Sequence, residues 1–235
     1  MKKKGFGDID KVLQPYYRLK FKLNQQNMYV SDVKEILKIT ERQIFYWDQK
    51  GKKLTEKKTP TRAWRNFSII DILGFAMIKE LRLYGLKLDQ CDNVFDWFCR
   101  NLDEAPLFLY HLAEGDSIYL FIERGKNWFF HYYGTELSGP NTLSSDILHV
   151  TTAGVFLPLQ PIFKAVFEQI KREDFHAEFT KDNMGGSNKI IFYIDGDRTE
   201  LKLSKDIIKT CPDIKIFKSS KGYSVEETIL FIEED

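Results

Sequence analysis

The sequence predicts an α+β chain, with a small helical unit near its start and a mixed α+β unit filling the rest of its 235 residues. Three observations predict this. Between about residue 31 and residue 102 apolar side chains recur at helical spacing, with capping residues at the ends of the runs. Beyond Pro106 the pattern changes to short strand-like runs separated by Gly-containing turns. Charge divides in the same place. Residues 1–100 carry 21 Lys and Arg against 12 Asp and Glu, a net of +9, and the remainder carries 14 against 22, a net of −8. The 43% hydrophobic content is enough for real cores in both. A basic front half beside an acidic back half indicates different partners, the first polyanionic. Mutual attraction between the halves is the plainer alternative.

Several classes are set aside. Met1-Lys2-Lys3-Lys4 is followed by no apolar stretch of the kind a signal peptide needs, and no apolar run approaches the roughly 20 residues that span a bilayer. Cys91, Cys99 and Cys211 form neither an even framework nor a CxxC pair, and read as small hydrophobes in a reducing cytoplasm. His111, His131, His149 and His176 show no ligand spacing. A cytoplasmic protein with no metal and no cofactor is the expectation.

Residues 1–27 read as a basic N-terminal arm. Residues 16–23 within it (Tyr-Tyr-Arg-Leu-Lys-Phe-Lys-Leu) end in an alternation that suits a short strand, or a flexible arm lying along phosphates. The first helix starts with Ser31 as N-cap and carries Val33, Ile36 and Leu37 on one face. After a tight break at Lys38-Ile39-Thr40, a second helix runs from about Glu41 to Lys50, capped by Thr40 and ended by Gly51. Ile44 and Trp47 point inward, while Arg42, Gln43, Tyr46 and Lys50 share the outward face. This is helix-turn-helix geometry, in which the second helix enters the major groove. Residues 52–66 form a basic loop around Pro60, with Lys52, Lys53, Lys57, Lys58, Arg62 and Arg65 suited to phosphates and Trp64 and Phe67 at its base. Ser68 caps an apolar helix over residues 69–84 that Gly85 terminates. Leu88, Cys91, Phe95, Phe98 and Leu102 continue as a helical stripe.

In the second unit, residues 107–112, 117–123 and 127–133 read as strands and residues 135–145 as a loop. Residues 157–172 read as a helix with Ile162, Phe163, Val166, Phe167 and Ile170 on one face. Residues 189–194 and 198–203 flank Asp195-Gly196, a strong hairpin signal. Residues 214–218 read as a further strand, and Ser224 and Glu227 fit a capping box for a last helix, although 228–232 also suits a strand.

Four segments together resemble the DNA-binding domain of the MerR family of bacterial regulators. Tyr29-Val30-Ser31-Asp32-Val33-Lys34-Glu35-Ile36-Leu37-Lys38-Ile39-Thr40 resembles its opening helix and turn. Ile44-Phe45-Tyr46-Trp47-Asp48-Gln49-Lys50-Gly51 is similar to its recognition-helix segment, Ala63-Trp64-Arg65-Asn66-Phe67-Ser68 to the closing end of its wing, and Leu81-Arg82-Leu83-Tyr84-Gly85-Leu86-Lys87-Leu88 to the turn after its next helix. The resemblance implies a winged helix-turn-helix domain over residues 28–104, with Tyr46 and Arg65 on DNA and Arg65 bracing the wing against phosphate. Phe45 stands where the family commonly has a DNA-contacting Arg, Lys38 where its turn often has Gly, and Lys34 where its helix usually has Ala. Pro106 and strand-like sequence follow where family members continue into a long dimerising helix.

The expected function is that of a sequence-specific double-stranded DNA-binding transcriptional regulator, cytoplasmic and nucleoid-associated, and not an enzyme. Its homodimer interface is unspecified, and its residues 105–235 sense a small-molecule or protein effector or mediate oligomerisation. The alternative is an architectural protein of an excision, partition or packaging complex. Arg42 and Gln43 are expected to read guanine and adenine. Asp195, Asp197 and Glu200 superficially suggest nuclease carboxylates, but an Asp-Gly-Asp run is ordinary hairpin chemistry.

Overall fold

The computed structural model describes residues 7–50, 66–91, 106–115, 117–123, 129–134, 154–181 and 188–201. Their order is α1 (Gly7–Asn24), α2 (Val30–Leu37), α3 (Glu41–Lys50), α4 (Ile69–Leu83), α5 (Pro106–Glu114), β1 (Ser117–Glu123), β2 (Phe129–Gly134), β3 (Gly154–Pro158), α6 (Leu159–Phe167), β4 (Phe175–Lys181), β5 (Asn188–Ile194) and β6 (Asp197–Thr199). This is the α+β arrangement that the sequence predicts. Expectations for residues 52–65, 92–102, 135–145, 214–218 and 224–232 lie outside the described residues.

The centre of the molecule is α4. Every residue from Ile69 to Ile78 is buried, as is Leu81, and a helix that is apolar all round must be covered on all sides. It is covered by α1, α2 and α6. Both of its ends form as the sequence predicts. Ser68 Oγ accepts from the Asp71 backbone N–H (3.1 Å), while Asp71 Oδ2 accepts from Ser68 N–H at 2.7 Å, a reciprocal capping box. At the far end Gly85 takes φ +83° and Leu86 N–H reaches back to the Leu81 carbonyl at 3.2 Å.

Four local expectations are corrected. The segment expected as a strand or flexible arm is helix α1, because Leu13, Tyr16, Leu19 and Leu23 fall on one helical face and all four are buried. The alternation over 19–23 is a local coincidence within a longer 3.6-residue period. Residues 107–112 are also helical, in α5. Pro106 supplies the first position, where its missing N–H costs nothing, and Leu109, Leu112 and Ala113 turn inward at helical spacing. Helix α2 starts at Val30, ahead of the expected Ser31 cap, because the Asp32 carboxylate takes up the Tyr29 N–H at 2.7 Å. The region 157–172 opens as the end of β3 before α6 begins at Leu159.

The strands form two antiparallel three-stranded sheets, ordered β2-β1-β3 and β4-β5-β6. In the second, Ile190, Phe192 and Ile194 alternate inward, and the β5–β6 turn is Asp195 (φ +52°) and Gly196 (φ +84°). Two consecutive positive φ values are what a tight two-residue hairpin requires and what Asp-Gly favours. Phe167, Phe175 and Phe192 pack ring against ring with centroids 5.4–6.3 Å apart, Phe175 stacked on Phe192 and Phe167 edge-on to Phe192. One hydrophobic cluster runs from Leu13 and Leu19 through Phe67 and Phe75 to Phe163 and Phe192, crossing residue 105 without interruption.

Polar contacts join the same regions. Arg18 donates to the Ile194 carbonyl (2.8 Å) and to Asp197 Oδ2 (3.1 Å). The Lys22 ammonium, with its side chain only 7% exposed, sits between Asp195 (2.7 Å) and Asp174 (3.0 Å). Arg172 grips Asp174 with Nε and Nη2 (2.8 and 3.1 Å) and donates from Nη1 to the Asn27 carbonyl at 3.0 Å. Burial opposes the Lys22 charge, but its hydrogen bonds to Asp195 and Asp174 outweigh that and raise its pKa. The Arg172 guanidinium, aided by Lys22 and opposed by burial, holds the Asp174 carboxyl at about 2. Part of the charge asymmetry in the sequence is therefore mutual attraction between the halves.

Candidate nucleic-acid interface

The helix-turn-helix is bracketed by its own neighbours. Met28, just before α2, exchanges backbone hydrogen bonds with Phe67, just before α4 (2.9 and 2.7 Å). The segment that holds α2 and α3 is thus closed at its base, and Phe67 is itself fully buried, edge-on to Phe75 at 5.7 Å. Within the segment Val33 and Leu37 of α2 and Ile44 and Trp47 of α3 face inward. The Trp47 ring lies 6.2 Å from Phe75 of α4, so α3 is anchored to the most buried element of the fold.

The turn between α2 and α3 explains one departure from the family pattern. Lys38 has φ +52° and ψ +43°, the left-handed conformation that Gly adopts without a Cβ penalty. Its backbone N–H bonds the Lys34 carbonyl at 2.9 Å, and Lys79 Nζ reaches the Leu37 carbonyl at 3.1 Å, so the end of α2 is satisfied despite the strained residue. Lys34, also unusual for the family, is solvent-exposed and raises no packing conflict.

Anchoring one face of α3 leaves the other outward. Arg42, Gln43 and Tyr46 are exposed, Tyr46 at 51%. Arg42 and Tyr46 lie one turn apart and make no side-chain hydrogen bond or ion pair among the described residues. Among the described residues nothing occupies the five guanidinium donors of Arg42. Gln43 is different. Its Oε1 accepts from the Thr40 N–H and hydroxyl, both at 2.9 Å, while the Gln43 N–H donates to Thr40 Oγ1 at 3.2 Å. The residue expected to read adenine is the second half of a capping box. Bidentate contact with adenine needs both amide atoms, so Gln43 would have to release the cap first.

Lys50 closes α3 at its C-terminal end. Lys52, Lys53, Lys57, Lys58, Arg62 and Arg65 lie outside the described residues. The acidic residues of the hairpin do not form an open carboxylate cluster: Asp195 and Asp197 face Lys22 and Arg18, and Glu200 pairs with Arg198 at 2.9 Å. Sequence reasoning placed Lys38 at the turn but did not count it among the basic residues facing DNA, and it is exposed there.

Residues 28–96 match the family described as MerR HTH family regulatory protein. The match begins at the Met28 bridge and takes in the helix pair, its anchor on α4 and the Gly85 turn. It shows the N-terminal segment to be a MerR-type helix-turn-helix, a domain of DNA-binding regulators, and covers less than a third of the chain. No curated protein and no solved structure was found to match. Among the described residues no helix is long and apolar enough to cross a membrane.

Proposed function

We propose that this chain, carrying a MerR-type helix-turn-helix at residues 28–96, is a sequence-specific regulator of transcription that binds double-stranded DNA. The observation that supports it best is the outer face of α3, where Arg42 and Tyr46 stand exposed and uncommitted on a helix fixed from behind by Ile44 and Trp47. A rigid helix presenting a free guanidinium is what reading a guanine edge in the major groove requires. Arg42 reads a base and Tyr46 flanks it, with Lys50 near the same groove. Lys52, Lys53, Lys57, Lys58, Arg62 and Arg65 hold the phosphates on either side. Gln43 keeps the helix start in place.

Residues 28–104 form the DNA-binding domain. Residues 105–235 supply an effector response or a dimer contact, and a homodimer places two such helices on two half-sites. The protein acts on nucleoid DNA in the cytoplasm. No catalytic step is assigned to Asp195, Asp197 or Glu200, because their carboxylates balance cations of this chain.

A genome-wide pull-down of DNA by the full-length protein at two salt concentrations tests this reading, with the Arg42→Ala/Arg65→Ala variant alongside. A small set of sharp promoter sites that the variant loses is the expected result. Enrichment at replication, recombination or packaging loci would instead indicate an architectural role. Broad enrichment unchanged in the variant would remove the DNA-reading function from α3.

A further inference from the structure

We propose that Arg172 is a positioning residue through which the C-terminal unit sets the stance of the helix-turn-helix, and so its affinity for DNA. The second half of this statement rests on the DNA-binding reading above. Arg172 lies 145 residues from Asn27 in the chain, yet its Nη1 donates to the Asn27 carbonyl at 3.0 Å and lies 3.4 Å from Met28 Sδ. That carbonyl belongs to the peptide leading directly into Met28, whose hydrogen bonds with Phe67 close the base of the helix-turn-helix. The other two arms of the guanidinium are locked on Asp174.

Asp174 in turn belongs to the β5–β6 hairpin as much as to its own segment. Its carbonyl accepts from the Asp195 N–H at 3.0 Å, and its carboxylate shares Lys22 with Asp195. Three parts of the molecule thus meet at one carboxylate: the end of α1, the start of the helix-turn-helix and the turn of the second sheet. A displacement of the hairpin moves Asp174, and Arg172 carries that movement to Met28.

The contacts are of a kind that can be switched. Arg172 and Asp174 are 30% and 36% exposed, so their pairing is partly screened and yields to a modest perturbation. The nonpolar packing of α4 on α6 is not reversible in this way, and holds the units together while the joint adjusts. Arg18 provides a contrast. It pairs with Asp197 (3.1 Å), Asp195 (3.7 Å) and the Ile194 carbonyl, and among the described residues it makes no hydrogen bond to Asn27 or Met28. It fastens α1 to the hairpin and has no direct bond to the base of the helix-turn-helix among the described residues.

Backbone amide exchange of the full-length protein tests the joint, using wild type, Arg172→Met, Arg172→Lys and Asp197→Ala. Arg172→Met should speed exchange at Met28 and Phe67 about tenfold while the centre of α4 stays protected. Arg172→Lys, which keeps the charge but not the three-way fork, should fall between, and decides the matter if Arg172→Met does not fold. Asp197→Ala should leave both amides unchanged. On the DNA site recovered in the pull-down, Arg172→Met should shift the dissociation constant by more than about threefold. Faster exchange confined to residues 171–175, or spread equally through α4, would overturn the proposal. If the wild-type protein binds no DNA, the functional reading fails by itself, and exchange at Met28 and Phe67 still decides whether the joint exists.

Discussion

The outer face of α3 and the inner face of α1 both carry basic residues from the first half of the chain, and the fold treats them in opposite ways. On α1, Arg18 and Lys22 are drawn onto Asp174, Asp195 and Asp197 of the second half. On α3, Arg42 meets no acid among the described residues and stays in solvent. Local composition does not separate the two cases. What separates them is what else the helix meets: α1 packs on α4 and also on β5, beside the hairpin that carries the acids, whereas α3 meets α4 through Trp47 on Phe75. A basic segment reads as a nucleic-acid contact only after its internal partners have been subtracted.

The largest effect on this contrast should come from removing the α3 anchor. Trp47→Ala empties a buried site against Phe75, and large-to-small changes of this kind cost about 3–5 kcal/mol. Chemical denaturation should show that loss, whereas a drop under about 1 kcal/mol would mean that α3 is held elsewhere.

The α1 side should respond to acid in a way the α3 side does not. Asp174 is held at about 2 against an ordinary 3.8, so its contribution is fully present above about pH 4 and disappears as pH falls through about 2. Asp174→Asn should lower the melting temperature at pH 7 and flatten its decline between those limits. An acid limb identical in wild type and variant would show that Asp174 is not what ties α1 to the hairpin.

A smaller effect, and of the opposite sign, is expected at the turn. Lys38→Gly relieves a left-handed residue, offset by the greater chain entropy of glycine, for a net gain of about 0.5 kcal/mol in stability. A loss of stability would mean that the Lys38 side chain contributes contacts that its exposure does not reveal.

What the sequence made legible, and what it did not, follows from the range over which each signal acts. The Ser68–Asp71 cap, the Gly85 stop and the Asp195-Gly196 turn depend on neighbours within a few residues, and all formed where the local chemistry placed them. The helix pair was legible for the same reason, and its four segments carried the family resemblance that residues 28–96 bear out. Helix α1 was misread because five alternating residues outweighed a stripe that needs Leu13 and Tyr16 to be visible. Helix α5 was misread because an unbroken apolar run fits either period until its burial is known. Strand β4 went unassigned although Phe175, Ala177 and Phe179 alternate with His176, Glu178 and Thr180, a pattern short enough to be overlooked beside the preceding helix. At the site, Arg42, Gln43 and Tyr46 are exposed where the sequence reading placed them, and Gln43 is in addition the cap partner of Thr40. A glutamine three residues after a threonine fits a cap as well as a base contact, and the Thr40 geometry shows the cap. The coupling through Arg172 was beyond sequence reading altogether, since it joins residues 145 positions apart.

The most direct test of the account is a titration of wild type and Arg42→Ala against the strongest recovered site and a scrambled duplex of equal length. The account predicts that Arg42→Ala loses about 1–3 kcal/mol of discrimination between the two, with the fold and the binding to scrambled DNA nearly unchanged. Equal affinity of both proteins for both duplexes would contradict it, and would mean that the exposed face of α3 does not read DNA.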